Sequence, residues 1–180
     1  MGAETLNLPH YTYEDYIQWE GRWELIHGIP FAMSPLPIEQ HQIVGGNLFH
    51  IFKGAFKDRC NSCRPVPPLD WKVKDDTVLQ PDFLVICGPR LGKGPLAFSP
   101  ALVAEILSPS TAIKDRNDKF KIYQAEHVQY YLILDVGLKK LEVYELIDGE
   151  YQLVSVDPPD FNFTFHEDCK IPISFTELWD

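Results

Sequence analysis

The sequence predicts an α/β fold with a mixed central sheet flanked by helices. Three apolar runs have the length of strands covered on both faces, namely Phe83–Cys87, Leu102–Leu107 and Tyr130–Leu134. Between the second and third runs, the polar segment 115–126 keeps Phe120 and Tyr123 on one side, and it is long enough for the crossover helix that a parallel pair of strands requires. These three runs should form the centre of the sheet.

The N-terminal part predicts a short helix followed by a hairpin. Thr12 and Asp15 have the spacing of a capping box, in which side chains satisfy backbone N–H groups at the start of a helix. Segments 22–26 and 29–33 then have the pattern of two strands around a tight turn. Glu24 is therefore expected on an early strand.

A long helix is predicted over residues 39–56, because apolar residues recur there every four positions; they are Val44, Leu48, Phe52 and Phe56. Alternation of apolar and polar residues over 69–74 predicts a half-exposed strand. Further on, the Asp148-Gly149 turn between segments 141–144 and 151–154 predicts a second hairpin.

Length and charge limit the possible organisation and partners. The chain has 180 residues, the size of one domain, so we expect a single domain over 1–180. It has 16 Lys and Arg against 26 Asp and Glu, a net charge of −10, which argues against a protein that coats DNA generally. A nuclease remains possible, because a metal ion can neutralise a carboxylate cluster and a phosphate together, and a dimer can gather basic residues in one groove.

No basic segment followed by an apolar stretch opens the chain, and no run approaches the roughly 20 apolar residues of a membrane-spanning helix. We therefore expect a cytoplasmic protein without membrane contact. The four cysteines, Cys60, Cys63, Cys87 and Cys169, are then expected to be reduced thiols. The lone CxxC of Cys60 and Cys63 lacks a second ligand pair in the sequence, so a loop with two cysteines is favoured over a zinc site.

Glu105 is the most informative single residue, because it lies in the middle of an apolar strand. Removing an unpaired charge from water costs several kcal/mol, so a metal ion, a lysine or a raised pKa must compensate a buried Glu105. The alternative is that this face of the strand is exposed to solvent. Asp82 directly precedes the previous apolar run. Two carboxylates from neighbouring strands would form the oxygen-rich site that Mg²⁺ or Mn²⁺ prefers, and phosphodiester hydrolysis uses such a site.

The sequence resembles the Uma-two group of endonucleases within the PD-(D/E)xK restriction-endonuclease-like superfamily. The resemblance covers most of the chain and rests on the order of seven short motifs: Tyr11-Thr-Tyr-Glu-Asp-Tyr, Trp23-Glu-Leu-Ile-His-Gly28, His41, Gln80-Pro-Asp-Phe-Leu-Val85, Ala104-Glu-Ile-Leu-Ser-Pro-Ser-Thr111, Asp115-Arg-Asn-Asp-Lys119 with Tyr123, and Tyr130-Tyr-Leu-Ile-Leu-Asp135. It implies a three-layer αβα core with a mixed central sheet and an N-terminal helix and hairpin. It also implies that Asp82 and Glu105 are metal ligands and that Glu24 points into the same site.

One position departs from the superfamily's simplest pattern. A lysine usually stands two residues after the second acid, but Leu107 stands there in this chain. The resemblance implies that the lysine comes instead from the following helix, where Lys119 occupies the family's position. Lys119 shares a helix face with Tyr123, whereas Lys121 lies about 200° around the axis, so Lys119 is the preferred catalytic lysine and Lys121 a substrate-binding candidate.

Two further residues are candidates for substrate binding. His41, at the start of the long helix, could contact the scissile phosphate or assist proton transfer, although a lone histidine is often a surface or capping residue. Ser108, with Ser110 and Thr111, could donate hydrogen bonds to phosphate, or could equally cap the next helix.

These observations lead to one main hypothesis and two alternatives. The main hypothesis is a Mg²⁺- or Mn²⁺-dependent endonuclease that hydrolyses DNA, with Asp82, Glu105, Lys119 and Glu24 in the catalytic site. A homodimer is expected by resemblance. The alternatives are a catalytically silent binding or regulatory module on the same fold, and a nuclease that acts on RNA or on damaged or branched DNA.

Overall fold

A six-stranded mixed sheet forms the centre of the protein, in a computed structural model that describes residues 9–33, 38–108, 112–165 and 169–180. The twelve strands are β1 (Trp23–Ile26), β2 (Ile29–Ala32), β3 (Cys63–Val66), β4 (Trp71–Lys74), β5 (Thr77–Leu79), β6 (Phe83–Cys87), β7 (Leu102–Leu107), β8 (Tyr130–Asp135), β9 (Lys140–Ile147), β10 (Glu150–Val156), β11 (Asp160–Phe165) and β12 (Cys169–Ser174). The central sheet has the order β10-β9-β8-β7-β6-β3. Within it, β7 and β8 are parallel and the other pairs are antiparallel, as the crossover predicted.

Four helices and one π-helical segment complete the fold within the described ranges. They are α1 (Tyr13–Tyr16), α2 (Glu39–Phe56), α3 (Ala112–Lys114), the π-helical turn Asp115–Lys119 and α4 (Phe120–Ala125). The last three follow one another without a break and form the predicted crossover between β7 and β8. The predicted capping box is confirmed at α1, where the carboxylate of Asp15 accepts a hydrogen bond of 2.8 Å from the backbone N–H of Thr12.

The two faces of the central sheet carry different layers. Helix α2 and the hairpin β11-β12 cover one face, where Phe52, Phe83 and Phe163 pack together. The crossover helix and part of a small second sheet cover the other, where Tyr123 stacks on Trp71. Burial of apolar side chains on both faces explains why the three central runs lack polar alternation.

The small sheet has the order β2-β1-β5-β4 and contains the predicted N-terminal hairpin. His27 and Gly28 both adopt positive φ, +51° and +76°, as the tight turn between β1 and β2 requires. Strand β5 was not predicted, because three residues are too few for a pattern. It pairs with β1 at Leu25 and Val78, and this pairing holds Glu24 beside the crossover helix.

The prediction of reduced cysteines is wrong in this structure. Disulfides join Cys60 to Cys169 and Cys63 to Cys87. The first spans 109 residues of sequence, so its partner could not be read from local spacing. Among the described residues, no helix is both long and apolar enough to span a bilayer.

Candidate active site

Asp82 and Glu105 come from neighbouring antiparallel strands to the same face of the central sheet. Phe83 pairs with Ala104, so the next pair outward is Asp82 opposite Glu105. Side chains of directly opposed residues lie close together on one face. Oδ2 of Asp82 also accepts a hydrogen bond of 2.8 Å from the backbone N–H of Ile106, which fixes the carboxylate at the start of β6. The structure thus brings the two predicted metal ligands together.

Lys119 joins three acids in the interior. Its ammonium Nζ lies 2.8 Å from Oε1 of Glu24, 2.9 Å from Oε1 of Glu105 and 3.3 Å from Oδ1 of Asp115. Lys119 is only 2% exposed and Glu24 is completely buried, so water cannot screen these charges. A lysine from the crossover helix therefore reaches Glu105. The position two residues after Glu105, where the superfamily's simplest pattern has a lysine, is occupied by Leu107.

The local helix geometry explains how Lys119 reaches the acids. Residues 115–119 form a π-helical turn, which has one residue more per turn than an α-helix and is frequent at functional sites. Asp115 and Lys119 both face inward from this turn and are buried. The hydroxyl of Tyr123, one turn further on, donates a hydrogen bond to Oε1 of Glu105.

Glu24 is held by a second lysine. Its Oε2 atom forms an ion pair with the ammonium of Lys114, and its Oε1 atom accepts a hydrogen bond of 3.0 Å from the backbone N–H of Gln80. Lys114 was not predicted as a site residue, since nothing in its sequence spacing connects it with β1. Asp115 and Tyr123 were present in the motifs but were not proposed as site residues.

The pKa values follow from burial and charge. Burial acts to raise the pKa of Glu24, but the charges of Lys119 and Lys114 outweigh burial and lower it. Burial raises the pKa of Glu105 well above its ordinary value, and repulsion by Asp115, Asp82 and Glu24 adds to this effect, whereas the charge of Lys119 opposes it. Burial acts to lower the pKa of Lys119, but Glu105, Glu24 and Asp115 overcome it and raise the pKa well above normal. Lys119 therefore stays protonated.

His41 approaches the site from the start of α2. Its Nε2 atom lies 3.3 Å from Oδ2 of Asp82, and each side chain is 15% exposed. Burial acts to lower the pKa of His41, but the hydrogen bond and the charge of Asp82 outweigh burial and raise it. Beside this pair lies an open pocket of about 250 Å³, lined mainly by α2 and the Pro67-Pro68 segment. His41 thus joins the cluster at its solvent-accessible side.

The remaining candidates lie elsewhere or have other contacts. The backbone carbonyl of Ser108 accepts a hydrogen bond of 3.0 Å from the N–H of Ala112, at the start of the crossover helix, and both roles considered for its hydroxyl stay predictions. Ser110 and Thr111 lie outside the described residues. Lys121 is exposed and lines a separate pocket with His27, so the structure does not bring it to the acids.

This architecture defines a restriction-endonuclease-like fold. It superposes with a TM-score of 0.68 on a crystal structure titled a "putative nuclease belonging to DUF820" from Anabaena variabilis ATCC 29413. That match covers 88% of this chain and 91% of the other, at 19% sequence identity, and so supports the fold.

Family comparison agrees with this fold. The model of the Uma2 family, described as "Putative restriction endonuclease", matches residues 13–168, and the chain belongs to this family. It is also 28% identical over 168 residues to the "Uncharacterized protein slr1290" of Synechocystis sp. (strain ATCC 27184 / PCC 6803 / Kazusa), a match that covers 85% of this chain and 84% of that protein. Family and fold together indicate a nuclease, which implies contact with nucleic acid.

Proposed function

We propose that the protein is a Mg²⁺- or Mn²⁺-dependent endonuclease that hydrolyses phosphodiester bonds in DNA. The observation that carries this proposal is the pairing of Asp82 with Glu105 across β6 and β7, with the Lys119 ammonium 2.9 Å from Glu105. Two acids and a lysine in one place are the groups that metal-assisted phosphodiester cleavage needs.

The donor set fits a hard divalent cation. Among the described residues, protein hydrogen bonds reach Oδ2 of Asp82 and Oε1 of Glu105, whereas none reaches Oδ1 of Asp82 or Oε2 of Glu105. Each carboxylate thus has one oxygen held by the protein and one available as a ligand. Carboxylate oxygens supported in this way are the ligands that Mg²⁺ and Mn²⁺ prefer.

The charge balance also favours a cation. Four carboxylates meet here, those of Glu24, Asp82, Glu105 and Asp115, and two lysines, Lys114 and Lys119, oppose them. The cluster therefore has an excess of negative charge. Burial raises the pKa of Glu105 despite its contact with Lys119, and this excess of charge adds to the effect of burial. A divalent ion held by Asp82 and Glu105 would compensate this excess and favour the ionised form of Glu105.

The chain's own groups have distinct roles in this proposal. A bound Mg²⁺ would supply Lewis-acid polarisation of the scissile phosphodiester. Lys119 holds Glu105 in position and keeps a positive charge at the cluster, where it stabilises the negative charge that grows on the phosphate and helps to position water. Glu24, paired with Lys114 and Lys119, sets the position of both lysines. His41 would contact the phosphate or assist proton transfer beside Asp82.

Cleavage of a supercoiled plasmid with and without Mg²⁺ or Mn²⁺ tests the proposal. Asp82→Ala and Glu105→Ala should each abolish cleavage while the protein still unfolds cooperatively, and Glu150→Ala, which removes an exposed acid, should cleave as the wild type does. Retained cleavage in both active-site variants would refute the assignment. The same variants on RNA, branched and mismatched substrates separate DNA duplex cleavage from the alternative substrates.

A catalytically silent binding module is the second candidate. Glu105 already receives hydrogen bonds from Lys119 and Tyr123, so the cluster is partly satisfied by protein groups alone. The net charge of −10 also suits a protein partner better than DNA. Calorimetric titration with Mg²⁺ and Mn²⁺ separates the two, because a binding module needs no metal at Asp82 and Glu105.

We propose further that the active form is a homodimer, since an acidic chain needs a second copy to gather basic residues along a duplex. Arg22 lines the pocket beside His41 and would contribute to such a groove. Sedimentation equilibrium at micromolar concentration should give twice the chain mass of 20.7 kDa, and a single-chain mass in the presence of DNA would refute it.

A further inference from the structure

The four cysteines meet at one place, far along the sheet from the acids. Cys60 lies in the loop after α2, Cys63 begins β3, Cys87 ends β6 and Cys169 begins β12. Cys63 and Cys87 are direct partners in the β3-β6 pairing, with 4.0 Å between their Cα atoms. The loop after α2 and the C-terminal hairpin bring the other two cysteines to this pair.

The two disulfides lie side by side. The sulfur atoms of Cys60, Cys63 and Cys169 all lie within 4.8 Å of one another, although they belong to two different disulfides. Sulfurs that ligate one tetrahedral Zn²⁺ lie about 3.8 Å apart, because each Zn–S bond is about 2.3 Å. Three of the sulfurs are thus close to the spacing of a zinc site before any rearrangement, and Cys87 is adjacent to Cys63.

The ligand pattern that the sequence lacked is supplied by the fold. Cys60 and Cys63 form a CxxC pair, and the second pair consists of Cys87 and Cys169, which are 82 residues apart in sequence (169 minus 87) and so give no local signal. Cys63 and Cys169 are buried, while Cys60 and Cys87 are half-buried, which leaves a route for an ion to enter. Thiolates are soft ligands, so this site would select zinc rather than Mg²⁺.

We propose that the reduced protein binds one Zn²⁺ through Cys60, Cys63, Cys87 and Cys169, and that the zinc-bound and disulfide forms are alternative states of one structural site. Each disulfide takes two electrons and two protons from one dithiol reductant, which becomes a disulfide, and the two reductions yield four thiols. Zinc binding then releases the four thiol protons. In either state the site fastens the β11-β12 hairpin to β3, β6 and the end of α2.

A cobalt titration tests this proposal on the full-length protein. Protein reduced with a phosphine, without oxygen, should bind one Co²⁺ per chain with a sulfur-to-cobalt charge-transfer band, and one equivalent of Zn²⁺ should remove that band. The oxidised protein should show no such band. Asp82→Ala should show the same band as the wild type, since carboxylate oxygens give none, so binding at the acidic cluster cannot imitate the result.

Variants assign the ligands. Cys169→Ser should weaken Zn²⁺ binding by at least about 100-fold, because loss of an inner ligand costs more than loss of an outer-shell partner, which costs about 10- to 100-fold. Cys60→Ser, at a half-exposed position, tests the same site should Cys169→Ser fail to fold. Absence of the band in reduced wild-type protein, or unchanged zinc affinity in a folded cysteine variant, would overturn the proposal.

Discussion

The ammonium of Lys119 lies 2.9 Å from Oε1 of Glu105, and both side chains are almost completely shielded from solvent. A buried pair of this kind stabilises a protein only while both partners remain, because each isolated charge would be costly in a low dielectric. The pair joins the helix after β7 to the sheet, so the same contact that stabilises the fold also positions the candidate catalytic groups.

Removal of the Lys119 charge should destabilise the protein strongly. Lys119→Met keeps an unbranched apolar side chain but removes the ammonium group and leaves Glu105 and Asp115 without their cation, so we expect the free energy of unfolding to fall by about 3–5 kcal/mol. Urea denaturation of the metal-free protein measures this change. The matched control is Lys121→Met, two residues away and exposed, which should shift the value by less than about 0.5 kcal/mol. Equal stability of the two variants would contradict the proposed role of Lys119.

The hydroxyl of Tyr123 should contribute more to the free energy of unfolding than an ordinary buried hydroxyl does. Tyr123→Phe removes the hydrogen bond to the carboxylate of Glu105 and keeps the ring on Trp71, so we expect a loss of about 1.5–3 kcal/mol. Tyr151→Phe removes a hydrogen bond to a neutral backbone carbonyl, that of Val128, and should cost about 0.5–1.5 kcal/mol. Thermal or urea unfolding measures the loss of stability in the two variants. An equal loss in Tyr123→Phe and Tyr151→Phe would argue against an ionised Glu105.

Two of the three glycines of α2, Gly46 and Gly54, allow an effect on stability to be distinguished from an effect on substrate access. A Cβ atom at Gly46 or at Gly54 would meet nothing within 4 Å, so alanine at either position should stabilise α2 by about 0.5–1 kcal/mol. Gly46 lines the pocket beside Asp82, whereas Gly54 does not. We therefore expect Gly46→Leu, but not Gly54→Leu, to lower the rate of plasmid cleavage. Equal rates would show that substrate does not enter this pocket.

Glu142 should make stability depend on acid pH. Burial acts to raise the pKa of this β9 residue, but hydrogen bonds from Arg116 and Lys140 outweigh burial and lower it below 4.5. A pKa lowered by folding adds stability above about pH 4.5 that disappears as the pH falls through the folded-state value. The stability difference between wild type and Glu142→Gln should therefore shrink in acid, as measured by urea unfolding between about pH 3 and about pH 7, a range that extends to both sides of the ordinary glutamate pKa.

The control for this experiment is Glu150→Gln, which changes an exposed glutamate on β10. Its stability should follow that of the wild type at every pH, within about 0.5 kcal/mol. A Glu142→Gln difference that stays constant with pH would mean that the ion pairs with Arg116 and Lys140 contribute nothing in solution.

Patterns of burial predicted the three central strands and α2, because strands covered on both faces and a helix with one apolar stripe have distinct periods. The edge strand β3 was not predicted. The free-energy cost of a buried charge drew attention to Glu105. Asp82 was singled out because it directly precedes the apolar run before that of Glu105. The meeting of these two residues depended on an antiparallel pairing, which periodicity does not specify. Lys119 was chosen through the family resemblance and its helix face with Tyr123.

Other contacts had no sequence signal. Lys114 reaches Glu24 only because α3 and the small sheet meet across 90 residues of chain. The disulfide partners could not be predicted from the sequence either, since Cys169 lies 109 residues from Cys60. Contacts between distant segments depend on how layers pack, and local propensity contains no information about that packing.

A crystal soaked in Mn²⁺ tests directly whether Asp82 and Glu105 bind a metal ion. We expect an anomalous density peak ligated by carboxylate oxygens of both Asp82 and Glu105, with the Lys119 ammonium still bonded to Glu105, and we expect that peak to vanish in Asp82→Ala. The proposed metal site would be contradicted if no peak lay between these carboxylates under conditions in which the dissolved protein cleaves DNA with Mn²⁺.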